Sequence, residues 1–246
     1  IEHYGTQEQR KFLTDALGMR DMFRSRFMPS EQSVASLRSA LAIAEQTGDK
    51  GQIGAGHLAL GIVLVWADHL DEAEEHLGEA LRMAEQADVA WLQSRCLTFL
   101  PFIFRRRGQV EQVRSLLTRA QDAGAAQGNS IFSGHRAWLA WREGNLTEVE
   151  IFARKLVEQG QQQQVEINPF QWVGFWPLIG VAIVQDKIAA AIDTMHILLD
   201  PTQQPPPERL RVLLKDALQA WDAGKQEQAR ALLLQVVPVA EEMGYL

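Results

Sequence analysis

The stretch from Trp66 to Gln86 carries a pattern of hydrophobic and polar positions that recurs along the whole chain. Its apolar residues are spaced by 3, 4, 3, 1 and 3 positions, at Leu70, Ala73, Leu77, Ala80, Leu81 and Ala84. This spacing places them on one stripe of an α-helix, and acidic residues occupy the opposite face. The stretch therefore predicts a turn followed by an amphipathic helix that packs its apolar face against a neighbouring helix.

The same pattern returns elsewhere in a degraded form. The segment 40–46, Ala-Leu-Ala-Ile-Ala-Glu-Gln, reappears forty residues later as Ala-Leu-Arg-Met-Ala-Glu-Gln at 80–86. The first residues of the predicted second helices follow one another at intervals of 40, 36, 42 and 38 positions, at Leu70, Val110, Leu146, Ile188 and Gln226. Self-similarity at a period of this size is typical of solenoid proteins.

Apolar periodicity, glycines and prolines together predict about twelve helices in about six antiparallel pairs. The predicted helices cover about 6–27 and 31–46, 50–67 and 70–86, 89–107 and 110–123, 130–143 and 146–160, a helix from 168 and its partner over 187–200, and 208–223 and 226–243. No strand-like alternation is left over. The predicted fold class is therefore all-α, an α-α superhelix that forms a single domain over 1–246.

Composition and net charge argue against several classes of protein. A hydrophobic content of 46% predicts a folded chain, and a net charge of -7 argues against a nucleic-acid binder. No apolar run approaches the ~20 residues of a transmembrane helix. A single cysteine, Cys96, excludes an internal disulfide framework and, with no signal peptide visible, favours the cytoplasm. Because the first residue is Ile1, we expect the C-terminal part of a longer protein.

The hairpin over 50–86 resembles a tetratricopeptide repeat (TPR), in which a small residue of the first helix lets the second helix approach. The residues at the repeat's packing positions are Leu60, Gly61, Leu64, Asp68, His69, Leu70, Ala73, Leu77 and Ala80. The other pairs depart from this pattern. Pro101 and Ile179 stand where Gly61 stands, Val113 and Val149 where Ala73 stands, and Arg136 where Leu60 stands.

The order of segments also resembles the C-terminal TPR region of large bacterial regulators, which join a STAND/AAA-type ATPase to an adenylate or guanylate cyclase, a kinase or a DNA-binding domain. Loose motifs carry this resemblance, at 16–21, 104–109, 137–144, 169–172, 176–177, 198–201 and 242–246. The resemblance implies a non-enzymatic module that senses a partner or effector and regulates attached signalling domains.

Residues with catalytic or metal-binding chemistry form no constellation in the sequence. The glycine-rich segment 51–56 lacks the Lys-Ser/Thr pair of a phosphate loop and follows no predicted strand. Glu72 and His76 lie four positions apart on a helix, but two ligands do not complete a zinc site. His57 and His135 are interpreted as hydrogen-bonded packing residues. No catalytic residue, metal site or cofactor is therefore predicted.

The first helices of such a solenoid line its concave face, so helical periodicity counted back from each turn selects residues that face a ligand. The candidate binding residues are Arg95, Phe102, Arg105, Trp138, Trp141, Trp176 and Trp221. Tryptophan and arginine carry much of the energy in protein interfaces. We expect a groove for a protein or peptide segment, or for upstream domains of the same protein, in which Arg95 and Arg105 pair with acidic groups.

The same residues allow other interpretations. Tryptophans at helical spacing are also typical of a packed core, and the arginines at 105–107 are also typical of a solvated helix end. Cys96 is more typical of a buried structural thiol than of a reactive one. Finally, the interior is compatible with a small-molecule effector: an open groove favours a peptide, whereas a closed cavity favours a metabolite.

Overall fold

The computed structural model describes residues 25, 28–127, 129–162, 170–201 and 203–246, and within this part the chain forms eleven α-helices and no strand. The helices are α1 (Glu31–Thr47), α2 (Lys50–Trp66), α3 (Leu70–Gln86), α4 (Ala90–Arg106), α5 (Val110–Asp122), α6 (Ser130–Arg142), α7 (Leu146–Gln162), α8 (Trp172–Val184), α9 (Ile188–Leu198), α10 (Glu208–Asp222) and α11 (Gln226–Glu242). The prediction of an all-α fold is confirmed. The predicted helix over 6–27 lies outside the described residues, and no described helix is long and apolar enough to cross a membrane.

Consecutive helices pack as pairs: α2 with α3, α4 with α5, α6 with α7, α8 with α9, and α10 with α11. The short turns within these pairs make the two helices antiparallel. Successive first helices also contact one another, from α2 to α4, α4 to α6 and α6 to α8, so they form a continuous inner layer. The last helix, α11, packs against α8 of that layer. The result is the predicted α-α superhelix, with its last pair turned back toward the inner layer.

The five residues predicted to begin the second helices are all the first residues of the observed helices α3, α5, α7, α9 and α11. Two positions before each of them the backbone is left-handed, at Asp68, Gly108, Gly144, Asp186 and Gly224. The next N–H then donates to the carbonyl five residues back, as from His69 to Leu64 over 3.0 Å. This pattern is a Schellman cap, which ends the first helix and reverses the chain.

The hairpin of α2 and α3 shows why a small residue is needed in the first helix. A Cβ atom added to Gly61 would lie 2.7 Å from Cγ and 3.1 Å from the backbone nitrogen of Leu77. Gly61 therefore lets α3 approach α2 at a distance that any side chain would prevent. Ala73 on the facing side is fully buried.

We expect Gly61→Ala to lower the free energy of unfolding by about 1–3 kcal/mol, because the added methyl group collides with the backbone of α3 as well as a side chain. Gly78→Ala is the matched control on α3, since a Cβ there meets no atom within 4 Å. This control should be neutral or stabilising by up to about 1 kcal/mol, because alanine is the better helix former. Urea unfolding measures both, and equal effects would contradict this account of the packing.

Departures from the packing pattern are accommodated locally. Val113 and Val149, which stand at the position of Ala73, are fully buried. Arg136, which stands at the position of Leu60, donates from Nη2 to Oε1 of Gln121 over 2.7 Å, and its guanidinium lies over the ring of Phe152. Arg136 thus contacts the two neighbouring helices, α5 and α7, and does not interrupt the stack of pairs.

Candidate binding site in the aromatic interior

Seven aromatic rings meet between the first helices, and we call this cluster the aromatic interior. They are Trp66 on α2, Phe99 and Phe102 on α4, Phe170 just before α8, Trp172 and Trp176 on α8, and Tyr245 after α11. Trp66 is 5.1 Å from Phe102 and 5.7 Å from Phe170, and Trp172 is 5.0 Å from Tyr245, measured between ring centroids. The contacts of Trp66 with Phe102 and of Trp172 with Tyr245 are tilted, whereas Trp66 and Phe170 are stacked. Both arrangements are favourable for aromatic rings at these distances.

Arg105 lies beside this cluster with only 1% of its surface exposed. Its Nε donates to the carbonyl oxygen of Gly244 and its Nη2 to that of Tyr245, each over 3.2 Å. The guanidinium carbon is also 5.5 Å from the ring centroid of Trp138 and 5.6 Å from that of Phe102. Desolvation lowers the pKa of Arg105 to about 9, so the group is charged at neutral pH. Within the described residues it pairs with carbonyls rather than with a carboxylate.

His135 completes the hydrogen bonding of Arg105. Its Nε2 is 2.9 Å from the carbonyl oxygen of Thr98 and must donate there, which leaves Nδ1 to accept from Nη1 of Arg105 over 3.3 Å. Desolvation, and then the positive charge of Arg105, lowers the pKa of His135 to about 3. His135 is therefore a neutral, fully hydrogen-bonded packing residue, as interpreted from the sequence.

Residues 244–246, which we call the closing segment, lie on the inner face formed by the first helices. The ring of Tyr245 is 5.0 Å from Trp172 and 5.3 Å from Trp176. Gly244 is left-handed, and a Cβ there would lie 2.6 Å from the carbonyl oxygen of Arg105. Leu246 lies against Gly180 on α8. The inner face thus holds a short stretch of polypeptide through main-chain carbonyls, an aromatic ring and an aliphatic side chain.

The structure places five of the seven predicted site residues in or beside this interior. Phe102, Arg105, Trp138, Trp141 and Trp176 are all buried there, and Nε1 of Trp141 donates to Oε1 of Glu241 over 2.9 Å. The other two lie elsewhere. Trp221 is half-buried on α10, and Arg95 is exposed near the beginning of α4, where its guanidinium carbon is 5.1 Å from the ring centroid of Phe99.

Sequence reasoning missed several members of the interior. Trp66, Phe99 and Trp172 lie on first helices, but they are not at the positions that helical periodicity counted back from each turn selects. Their aromatic character was the available signal. His135 was interpreted separately, as a packing residue. Tyr245 follows the last second helix, so no count along the first helices reaches it.

Several other side chains with metal-binding or nucleophilic chemistry are paired or buried. Both oxygens of Glu72 accept hydrogen bonds from Arg38, and His57 and His76 share a hydrogen bond of 2.8 Å between their Nδ1 atoms. Burial raises the pKa of the Cys96 thiol to about 12, which keeps it protonated. Over the described ranges, no three or more His, Cys, Asp or Glu side chains are grouped to hold a metal ion.

Three indole N–H groups in this region have no acceptor in the described structure. They belong to Trp66, Trp138 and Trp176, and all three nitrogens are buried. The neighbouring Trp172 differs, because its Nε1 donates to Oε1 of Gln204 over 2.9 Å. Buried hydrogen-bond donors are normally paired. These three N–H groups are exceptions, because no atom of the described protein accepts from them.

The fold and this interior define the class of the protein: an all-α helical repeat superhelix whose inner layer surrounds a buried arginine and a cluster of aromatic rings. The chain matches no protein-family model. It also matches no curated protein.

Proposed function

We propose that this chain is a non-enzymatic interaction and sensor module of the TPR type, which binds a protein or peptide segment on its inner face. The supporting observation is that Arg105 donates to the carbonyl oxygens of Gly244 and Tyr245. Every residue of a polypeptide carries a main-chain carbonyl. A buried donor that binds such carbonyls is therefore suited to hold a segment of another protein in the same way.

In this proposal the closing segment occupies the site as an internal ligand. A partner segment would present its carbonyls to Arg105, an aromatic side chain to Trp172 and Trp176, and an aliphatic side chain to Gly180. The partner segment competes with the closing segment. Because the closing segment is tethered to the same chain by a short link, its effective concentration is on the order of millimolar. Binding of the partner then requires displacement of the closing segment.

Displacement of the closing segment would change the packing of the last helix. The closing segment begins two residues after the end of α11, and Glu241 in the last turn of α11 accepts the hydrogen bond from Trp141. Release of the closing segment removes contacts that hold α11 against the inner layer. Binding of a partner would therefore loosen the packing of the last helix pair. We propose that signalling domains attached to this chain respond to that change, as in the cytoplasmic bacterial regulators whose repeat region the chain resembles.

A small-molecule effector is the second candidate ligand, and the unused indole N–H groups of Trp66, Trp138 and Trp176 favour it. An effector that carries carbonyl or carboxylate oxygens would supply the acceptors that these donors lack. Since Trp176 contacts Tyr245, such a molecule would also compete with the closing segment. Both candidates therefore use the same inner face and produce the same output.

The test uses a fluorescein-labelled, C-terminally amidated peptide with the sequence of residues 241–246, Glu-Glu-Met-Gly-Tyr-Leu. It is titrated against the full chain carrying Tyr245→Ala and Leu246→Ala, which removes the side chains that hold the closing segment and so weakens its competition for the site. We expect saturable binding by fluorescence anisotropy in the micromolar range, and binding to the unaltered chain weaker by at least about tenfold, because its own segment competes.

A peptide ending in Gly-Ala-Ala is the matched control, and it should not bind, because it lacks the aromatic and aliphatic side chains. Circular dichroism establishes that the double variant is folded. Absence of binding to the folded double variant would rule out the inner face as a peptide site.

A further inference from the structure

Trp91, Arg95 and Phe99 form one stripe on α4, because residues four positions apart lie on the same face of a helix. We call these three residues the α4 stripe. Trp91 has 57% of its surface exposed, which is unusual for tryptophan, the largest of the apolar residue types. Arg95 is also exposed, whereas Phe99 is buried in the aromatic interior. The stripe thus runs from the interior out to solvent.

Arg95 differs from most arginines of the described structure. Arg38, Arg107 and Arg119 are representative of the others, since each forms an ion pair with a glutamate. Arg95 has no ion pair or hydrogen bond within the described ranges, and its guanidinium carbon lies 5.1 Å from the ring centroid of Phe99. Contact with an aromatic face leaves the N–H edge of a guanidinium available for a carboxylate.

The α4 stripe is continuous with the site occupied by the closing segment. The ring centroid of Phe99 is 6.2 Å from that of Phe102 and 6.2 Å from that of Phe170. Arg95 and Arg105 are ten positions apart on the same helix, which corresponds to about 15 Å along its axis. An extended peptide covers that distance in about four to five residues. Of this length of α4, the closing segment is hydrogen-bonded to the Arg105 end within the described structure.

We infer that the α4 stripe binds an acidic residue of the partner segment, with Arg95 holding the carboxylate and Trp91 covering an adjacent apolar group. This inference rests on the proposed function and specifies its partner. That partner carries an aspartate or glutamate about four to five residues from the aromatic and aliphatic pair that replaces Tyr245 and Leu246. The positive charge of Arg95, which has no carboxylate partner within the described residues, supplies the charge complementarity at this point of the surface.

The experiment uses two amidated, fluorescein-labelled peptides that join Gly-Tyr-Leu to Glu-Glu through a Gly-Ser-Gly spacer, one with the glutamates first and the other with them last. Each has a counterpart with Gln-Gln. All four are titrated against the full chain carrying Tyr245→Ala and Leu246→Ala. We expect one glutamate peptide to bind at least about tenfold more tightly than its glutamine counterpart, with an advantage that shrinks as salt is added.

Arg95→Gln in the same background should abolish that advantage while leaving the glutamine peptide unaffected. Arg142→Gln is the matched control, because Arg142 is also exposed and contacts the ring of Trp138 without a carboxylate partner in the described structure. It should leave the advantage unchanged.

The possible results separate the two proposals. Equal affinities of glutamate and glutamine peptides in both orders would overturn the role of the α4 stripe and leave the proposed function standing. An advantage that survives Arg95→Gln would also overturn it, because the carboxylate would then be bound elsewhere. If no Gly-Tyr-Leu peptide binds, the proposed function fails and the role of the stripe fails with it.

Discussion

Arg105→Met is expected to lower the free energy of unfolding by about 3 kcal/mol, the largest effect of any single substitution proposed for this protein. Methionine has a similar length and suits apolar surroundings, but it donates no hydrogen bond. The carbonyl oxygens of Gly244 and Tyr245 and Nδ1 of His135 would each lose the donor that they have in the structure. Each buried acceptor left without a donor costs about 1–3 kcal/mol. Part of this total is offset because the variant no longer has to bury the charged guanidinium of Arg105.

Arg142→Met is the control for this substitution, because the Arg142 guanidinium contacts the same Trp138 ring from an exposed position. It should change the free energy of unfolding by less than about 1 kcal/mol in urea unfolding. Combining Arg105→Met with Tyr245→Ala should cost less than the sum of the two single changes, since both release the closing segment. Equal free energies of unfolding for the Arg105→Met and Arg142→Met variants would show that the hydrogen bonds of Arg105 do not stabilise the fold.

Acidification from pH 7 to pH 5 is expected to reduce the free energy of unfolding by about 2 kcal/mol through His135 alone. Burial lowers the pKa of His135 to about 3, so the folded chain keeps this histidine neutral across that range. The unfolded chain takes up the proton below about pH 6.5. Because the unfolded state binds more protons, stability is fully present above pH 6.5 and falls as the pH decreases toward 3. The pKa of His57 is also lowered by burial, so His57 acts in the same direction.

His135→Gln tests this assignment, because its amide can still donate to the carbonyl of Thr98 but does not titrate. The decrease in stability between pH 7 and pH 5 should be smaller in this variant, whereas His196→Gln, at an exposed position, should leave it unchanged. Nuclear magnetic resonance of the unaltered chain gives a second measurement, in which the ring signals of His135 should not move between pH 7 and pH 5. A titrating His135 signal would contradict the buried, neutral state.

Local sequence signals were sufficient to predict the helix pairs. Each second helix begins at the predicted residue because turn chemistry and apolar spacing act within a few positions. The turns illustrate this: a glycine at Gly108, Gly144 or Gly224, or an aspartate at Asp68 or Asp186, adopts the left-handed conformation that ends one helix two positions before the next begins. Such signals do not depend on distant parts of the chain.

The interior was predicted only in part, because it depends on how distant pairs meet. Periodicity selected Phe102, Arg105 and Trp138 since these residues lie on the inner sides of their own helices. It did not predict that Arg105 would bind carbonyls of Gly244 and Tyr245, because that contact requires the last pair to turn back toward the inner layer. A one-dimensional pattern specifies which side of a helix is apolar but not which distant segment covers it.

The hydrogen bonds between Arg105 and the closing segment join residues that are 139 and 140 positions apart. In a repeat array each unit contacts only its neighbours, so such arrays can fray from either side and fold from several starting points. A contact of this range joins α4 to the last helix pair, so we expect them to unfold together. It also forms only after residues 244–246 have been synthesised, so during translation the aromatic interior stays uncovered until this stretch is complete.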